Sequence, residues 1–568
     1  MRDETGRVDA LPWRLPDAAA VPPSFLPEEP PVLRSLLWER GYSAESAARA
    51  FLDPLSFRLP DAPLQPGLGL AADRLILALK RREKVVVWGD YDADGQTATA
   101  VLVGALRSAG IDVDYHIPPC EGASRGLEAV GLRTLTDAGC RLLITCDCGT
   151  NDVAAVAEAH GLGIEVIITD HHDLLGPLPA ATAVLNPTLA GLHDPLYGLP
   201  GVAVAYLLVR ELLRRLDRPQ EANSWLDLVA LGTIADLAPH TAAVRALLAR
   251  GLPRLWRSPR AGIRAALELA KKHPSGLQSD VVGFVLGPLL NATGRLGSPR
   301  AGVELLLCQD RDRAGTIAAE LWQLKRERGT LAAALERAAI ETLTEADLRA
   351  PVLVIVGTDW HQGLIGRVAG SISRRYDRTV VLLSVPSGGG LARGSARAAG
   401  SVDLLASLGE YTSLEAFGGH PGAAGFSIRP EAIEGLRHWL HGRLAAQTLL
   451  PGPLRIEAVV PWGALATPAA IAGQVERLAP FAEGNPEPLL GSFGLKVVGR
   501  RPLGLGDQHL LLTLADGQGF AHEIKWWRYE HGWEPTALID VAYTATMETW
   551  QGRTTQQLTL RDVRPHRA

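Results

Sequence analysis

The feature that most narrows the fold is a set of continuous apolar segments, each separated from the next by a helical stretch and each ending in acid. "KVVVWGD" (84–90), "RLLITCD" (141–147) and "EVIITD" (165–170) are apolar throughout rather than at every second residue. Such runs belong to strands covered on both faces. "LAADRLILALKRRE" (70–83), "ATAVLVGALRSAG" (98–110), "LRTLTDAG" (132–139) and "NDVAAVAEAHG" (151–161) carry helical spacing, and "DVDYHI" (112–117) is a further strand. Gly110 closes the second helix as a C-cap. Repeated strand–helix alternation predicts an α/β fold with a mostly parallel, doubly wound sheet.

The acids then fall in one place. Asp90, Asp92 and Asp94 crowd the end of the first run, Asp147 ends the second, and Asp170, His171, His172 and Asp173 follow the third. Asp236 closes the apolar helical run "LVALGTIADLAPH". In an open α/β sheet, ligands sit at the carboxyl ends of the strands. Like charges this close resist ionisation unless a cation lies among them. Carboxylates with imidazoles form the ligand set of Mn²⁺, Mg²⁺ and Zn²⁺. Two such ions can clamp both oxygens of an in-line phosphoryl displacement. Each acid taken alone also reads as a helix N-cap; their convergence favours the metal reading.

The 568 residues suggest about three to four domains. Residues 1–44 form a Pro-rich lead that packs on the body, and 45–310 hold the alternating unit followed by helices over 202–275. Ile317, Leu321, Leu324, Leu331 and Leu335 form one stripe of a long connecting helix within 311–349. A smaller α/β unit spans 350–448, and short strands with Gly and Asp turns over 449–568 predict a β-barrel. The net charge of −5 gives no global basic signature, although a local basic groove is compatible with it. Cys120, Cys140, Cys146, Cys148 and Cys308 lack the spacing of a disulfide framework, and Cys146 and Cys148 read as small buried fillers beside Asp147. No apolar run approaches the ~18 residues of a membrane span, so a cytoplasmic protein without membrane association is expected.

"DYDADG" (90–95), "DCG" (147–149), "TDHH" (169–172) and "ADLAPH" (235–240) resemble the first motifs of the DHH phosphoesterase superfamily. "GPLLNATGRLGSP" (287–299) resembles its Asn-Ala-x-Gly-Arg motif. "WHQGLIGRVAG" (360–370), "GSAR" (394–397) and "FGGHPGAAGFSI" (417–428) resemble its associated domain. "PFAEGNPEP" (480–488) with the β-rich tail, and "LPWRLP" and "LLWERGYSAESAARAFLDP" near the start, are similar to the RecJ family within it.

The resemblance implies a DHH core, a long connecting helix, a smaller α/β DHH-associated domain and a C-terminal OB-type barrel. It implies a 5′→3′ exonuclease that hydrolyses single-stranded DNA to 5′-mononucleotides in repair and recombination, with two divalent ions, Mn²⁺ or Mg²⁺. A single-strand-binding protein and a RecQ-type helicase are the implied partners of a monomeric enzyme. By the same resemblance, Asp92, Asp94, Asp147, His171 and Asp236 are metal ligands. Asp90 and His172 stand close by as catalytic groups, and Asp170 orients His171. Asn291, Arg295 and His361 contact phosphate, while Ser395, Arg397 and His420 hold the 5′ end and scissile region. Gly363, Gly366, Gly418 and Gly419 let the backbone approach the strand. Lys525, Trp526, Trp527 and Arg528 are candidates for stacking on bases, or else for barrel packing.

Three departures stand out. Gln96 replaces a small apolar residue, Arg125 replaces a Tyr, and a Ser is missing after Arg397. Two alternatives compete with the exonuclease: a DHH phosphodiesterase of short oligonucleotides or cyclic dinucleotides, and a non-catalytic replication scaffold. The lead and barrel argue against the first, and the intact acid set against the second.

Overall fold

The computed structural model describes residues 12–60, 66–118, 126–400, 402–445, 453–481, 484–504, 509–527, 529, 537–550 and 553–566. Arg125, Arg528 and Cys120 lie outside the described residues.

The first sheet consists of β1 (Lys84–Gly89), β2 (Val113–His116), β3 (Cys140–Cys146), β4 (Glu165–Thr169) and β5 (Ala183–Leu185), in spatial order β2-β1-β3-β4-β5. Every pairing is parallel. The continuous apolar runs now have their reason. Val85, Val87, Leu142, Ile144 and Ile167 enter one core, whereas Val86, Trp88, Leu143, Val166 and Ile168 enter another on the opposite face. The edge strand β5 was not expected; at three residues it is too short to carry a period.

The first core is covered by α1 (Ala93–Ser108), α2 (Gly201–Arg215), α3 (Leu226–Ala235), α4 (Gly287–Leu296) and α5 (Pro299–Leu307). The connecting helix α6 (Arg311–Glu341) then runs 31 residues, about 46 Å at 1.5 Å per residue. Ile317 and Leu321 on it join the first core, and Ala332, Leu335 and Ala339 join the core of the next domain. Leu331, expected on the stripe, is instead 48% exposed, and Arg328 is buried a turn earlier.

The next domain holds β6 (Val352–Thr358), α7 (Gln362–Tyr376), β7 (Thr379–Val385), β8 (Ala392–Arg397), β9 (Leu414–His420) and β10 (Ala423–Ile428). Its order is β9-β10-β8-β7-β6, with only β6 and β7 parallel. The glycine-rich motif at 417–428 is thus a hairpin, which its composition concealed.

The C-terminal strands are β11 (Ala458–Val459), β12 (Leu490–Leu503), β13 (His509–Ala515), β14 (Ala521–Trp527), β15 (Ile539–Trp550) and β16 (Arg553–Pro565). β12 pairs with both β13 and β15, which closes the expected barrel. Trp526 packs against the barrel core, whereas Trp527 is 46% exposed with its ring edge-on to His509.

The N-terminal lead docks on this barrel, more than 400 residues away in sequence. Trp13 and Arg14 pair in parallel with Leu454 and Arg455, and the Trp13 indole donates to Asp562 Oδ2 at 2.7 Å. Phe25, Leu26, Leu33, Leu36 and Leu37 share one core with Leu490, Leu512, Ile524 and Tyr543, and Ala48 and Phe51 belong to the same core. Arg245, 2% exposed, fastens the lead and barrel to the domain of the parallel sheet by donating to the carbonyls of Phe51, Leu478 and Ala479.

Candidate metal centre

Parallel strands end on one edge, and the acids follow from that edge. Beyond β1 the chain turns directly into α1. Asp92 is the N-cap of that helix, its Oδ1 accepting the amides of Asp94 and Gly95 at 3.0 and 3.1 Å. Capping and metal binding are therefore not exclusive for this residue, since a carboxylate has a second oxygen. Asp94 points back to the start of α2, where its two oxygens accept the amides of Gly201 at 2.7 Å and Val202 at 2.9 Å. The N-terminus of a helix favours negative charge there.

Asp147, at the end of β3, has φ +62°, a left-handed conformation that Asp tolerates better than most residues. Strain of this kind clusters at functional sites. The kink sends Cys146 and Cys148 into the two opposite cores, buried as expected, and leaves the Asp147 carboxyl at the sheet edge. Gly201 makes room for it, because a Cβ there would lie 2.7 Å from Asp147 Cβ.

His171 Nε2 lies 3.0 Å from Asp147 Oδ1 and 3.9 Å from Asp94 Oδ2, while its Nδ1 lies 3.9 Å from Asp236 Oδ2. Three sets, Asp147–His171–His172, Asp94–His171–Asp236 and Asp90–Asp92–Asp147, each bring their ligand atoms within 4.8 Å of one another. The sets overlap at Asp147 and His171, as ligands around two neighbouring cations would.

The Asp170 bond departs from expectation. Its Oδ1 pairs with the His172 ring Nδ1 at 2.8 Å and accepts the main-chain amides of His171 at 2.7 Å and His172 at 3.2 Å, not the His171 ring. Oδ2 accepts the amide of Thr150 at 2.9 Å. Asp170 caps the turn after β4, and the ring two residues on folds back over it, while the His171 ring is turned towards Asp94, Asp147 and Asp236.

The electrostatics fit a cation. Burial, then the charge of Asp92, pushes the Asp94 carboxyl up to about 7. Burial and the charges of Asp94, Asp92, Asp90 and Asp236 push Asp147 well above the ordinary range. Burial and the charge of His172 lower His171 to about 4, so its imidazole is neutral, as a ligand must be. Burial acts to raise Asp170, but the hydrogen bond to His172, the charge of that ring and the Thr150 amide outweigh it and hold the carboxyl well below its usual value. Asp147 Oδ1 accepts no hydrogen bond among the described residues, although His171 Nε2 is only 3.0 Å away. Two ligand atoms that close without a hydrogen bond fit a divalent ion between them.

The remaining candidates extend from this centre. Asn291 Oδ1 accepts the amide of Ala93 at 3.0 Å, which fixes α4 to the acid loop. The Arg295 guanidinium lies 5.8 Å from the Tyr91 ring centroid and donates to the Gly363 carbonyl at 3.4 Å, spanning the two domains. His361 caps α7, with Nδ1 accepting the amide of Gly363 at 3.1 Å. Arg397 donates to Ser395 Oγ at 3.0 Å, and both side chains lie over Gly366, where a Cβ would crowd them. His420, at the end of β9, is near enough for its charge to act on His171. Gly418 and Gly419 pair with Gly425 and Ala424 in the same hairpin. Sequence reading missed the two amides at the start of α2, for which only "PGV" after a loop gave any hint.

Comparison with known proteins agrees with this architecture. The DHH family N-terminal domain matches residues 84–233, the DHHA1 domain 349–446 and the RecJ OB domain 466–562. The chain is 34% identical to the single-stranded-DNA-specific exonuclease RecJ of Escherichia coli, over 95% of this chain and 97% of that one. It is 32% identical to RecJ of Bacillus subtilis, over 94% of this chain and 68% of that one. The crystal structure of RecJ in complex with Mn²⁺ from Thermus thermophilus superposes with a TM-score of 0.82 at 30% identity, covering 99% of this chain and 81% of that one. A structure of the same protein with Mg²⁺ gives 0.77 at 28% identity, covering 99% and 79%. With the three domains matched in order and relatives 32–34% identical over nearly the whole chain, the chain belongs to the RecJ family of DHH proteins.

Proposed function

We propose that this protein is a metal-dependent exonuclease that degrades single-stranded DNA from its 5′ end to mononucleotides, in repair and recombination. The observation that carries the reading is the convergence of Asp92, Asp94, Asp147, His171 and Asp236 on one sheet edge, with Arg295 beside Tyr91 of the same loop and His420 near enough for its charge to act on His171. These five would hold two divalent ions, Mn²⁺ or Mg²⁺. When bound, the ions supply the Lewis acidity that activates water and neutralises charge during in-line displacement at phosphorus.

The chain's own residues do the rest. The amides of Gly201 and Val202 aim the Asp94 carboxylate. Asp170 fixes the tautomer and tilt of His172, so that this ring is held in place for proton transfer near the scissile oxygen. Arg295, with its planar fork, suits phosphate oxygens on the catalytic side. Ser395, Arg397 and His420 suit the phosphate on the opposite wall. The space between the two domains would admit one strand and exclude a duplex. A cytoplasmic monomer working with a single-strand-binding protein and a RecQ-type helicase is part of the same reading.

The test is a time course on single-stranded DNA labelled at its 3′ end, with Mn²⁺ or Mg²⁺. The expected result is a ladder shortening from the 5′ end, absent on blunt duplex and absent for Asp147→Ala. Cleavage restricted to di- to pentanucleotides would favour a short-substrate phosphodiesterase, and no cleavage of either would overturn the reading.

A further inference from the structure

Gln96, expected to be small and apolar, is fully buried in the seam between the acid loop and α4. Its amide nitrogen donates to the carbonyl of Tyr91 at 2.6 Å and to that of Leu290 at 3.1 Å. Tyr91 sits between Asp90 and Asp92, and Leu290 immediately precedes Asn291. Both donors of one side chain are thus spent on joining the loop of metal ligands to the helix of phosphate contacts. On the acceptor side, the Thr293 hydroxyl lies 3.3 Å from Gln96 Oε1. The seam is tight elsewhere too, since a Cβ at Gly294 would overlap the Tyr91 carbonyl. Room for the long side chain comes from α5, where a Cβ at Gly302 would overlap Gln96 Oε1 itself.

We propose that Gln96 is a positioning residue that sets the spacing between the cation ligands and the pair Asn291–Arg295, with Gly302 as the partner that makes room for it. The ligands have supports of their own: Asp92 is held by its capping turn and Asp94 by the amides of Gly201 and Val202. The phosphate contacts instead follow the loop backbone that Gln96 ties to α4: Asn291 accepts the Ala93 amide, and the Arg295 guanidinium lies 5.8 Å from the Tyr91 ring centroid. Loss of the Gln96 amide therefore shifts the phosphate contacts relative to the cations without emptying the cation site.

The inference rests on the exonuclease reading only for its kinetic readout. Gln96→Met keeps length and volume but removes both donors. It should retain the wild-type number of Mn²⁺ bound per chain, measured by calorimetry, while KM for a single-stranded oligonucleotide rises about tenfold or more, since small misplacements of positioning groups are costly. Gly302→Ala should reproduce the defect in the wild-type background and add little to Gln96→Ala. The same coupling should appear in melting temperatures, which need no substrate. Variants that show this coupling in their melting temperatures, beside a wild type that does not cleave DNA, would therefore fail the exonuclease reading and leave the seam standing. Equal damage from Gly302→Ala with and without Gln96 would overturn the inference. So would a Gln96→Met variant with unchanged KM, or one that loses Mn²⁺ binding.

Discussion

At the scale of single residues, the site is a cluster of charges that the fold alone does not favour. Asp94 titrates at about 7 in the folded chain, above its ordinary 3.8, because burial and Asp92 oppose its ionisation. A group raised on folding contributes stability that is full below its unfolded value and lost as pH rises through the folded one. Metal-free protein should therefore melt at a lower temperature at about pH 8 than at about pH 5, and saturating Mn²⁺ should flatten the difference. Scanning calorimetry at both values checks this; equal melting temperatures without metal would contradict it. These charges were legible in sequence because each acid ends an apolar run. The partner of Asp170 was not, because the choice between His171 and His172 depends on how the turn after β4 folds back.

At the scale of elements, the strands of the catalytic sheet were readable because residues buried on both faces leave continuous apolar runs. The Gly-rich β9–β10 hairpin and the three-residue β5 carried no such signal. Contacts distant in sequence were also silent: nothing local in 1–52 says that Phe25, Leu36 and Phe51 complete a barrel core built from 458–560. Arg245 is the fastening point. Burial lowers its pKa to about 10, its guanidinium lies 3.7 Å from the Phe51 ring centroid, and it serves three carbonyls. Arg245→Met should keep the packing and strand those carbonyls, each a loss of about 1–3 kcal/mol if it stays buried. The expected outcome is a lower melting temperature and earlier proteolytic release of the barrel from the catalytic domain. A variant as protease-resistant as wild type would mean that the apolar core alone holds the lead and barrel in place.

At the scale of the whole molecule, the order of units was legible because each has its own period: strand–helix alternation, one long stripe, a second alternation, then short strands. How the units meet was not. α6 spans two cores, Arg295 reaches from the catalytic domain to the Gly363 carbonyl, and His420 approaches His171 from the associated domain. The reactive space is therefore a property of the assembled chain, and its centre is the claim on which the rest depends. Calorimetric titration of the metal-free protein with Mn²⁺ tests that claim most directly, with wild type and Asp147→Asn side by side. The account predicts two ions per wild-type chain and loss of at least one in the variant. Absence of stoichiometric uptake, or identical titrations of the two proteins, would contradict it.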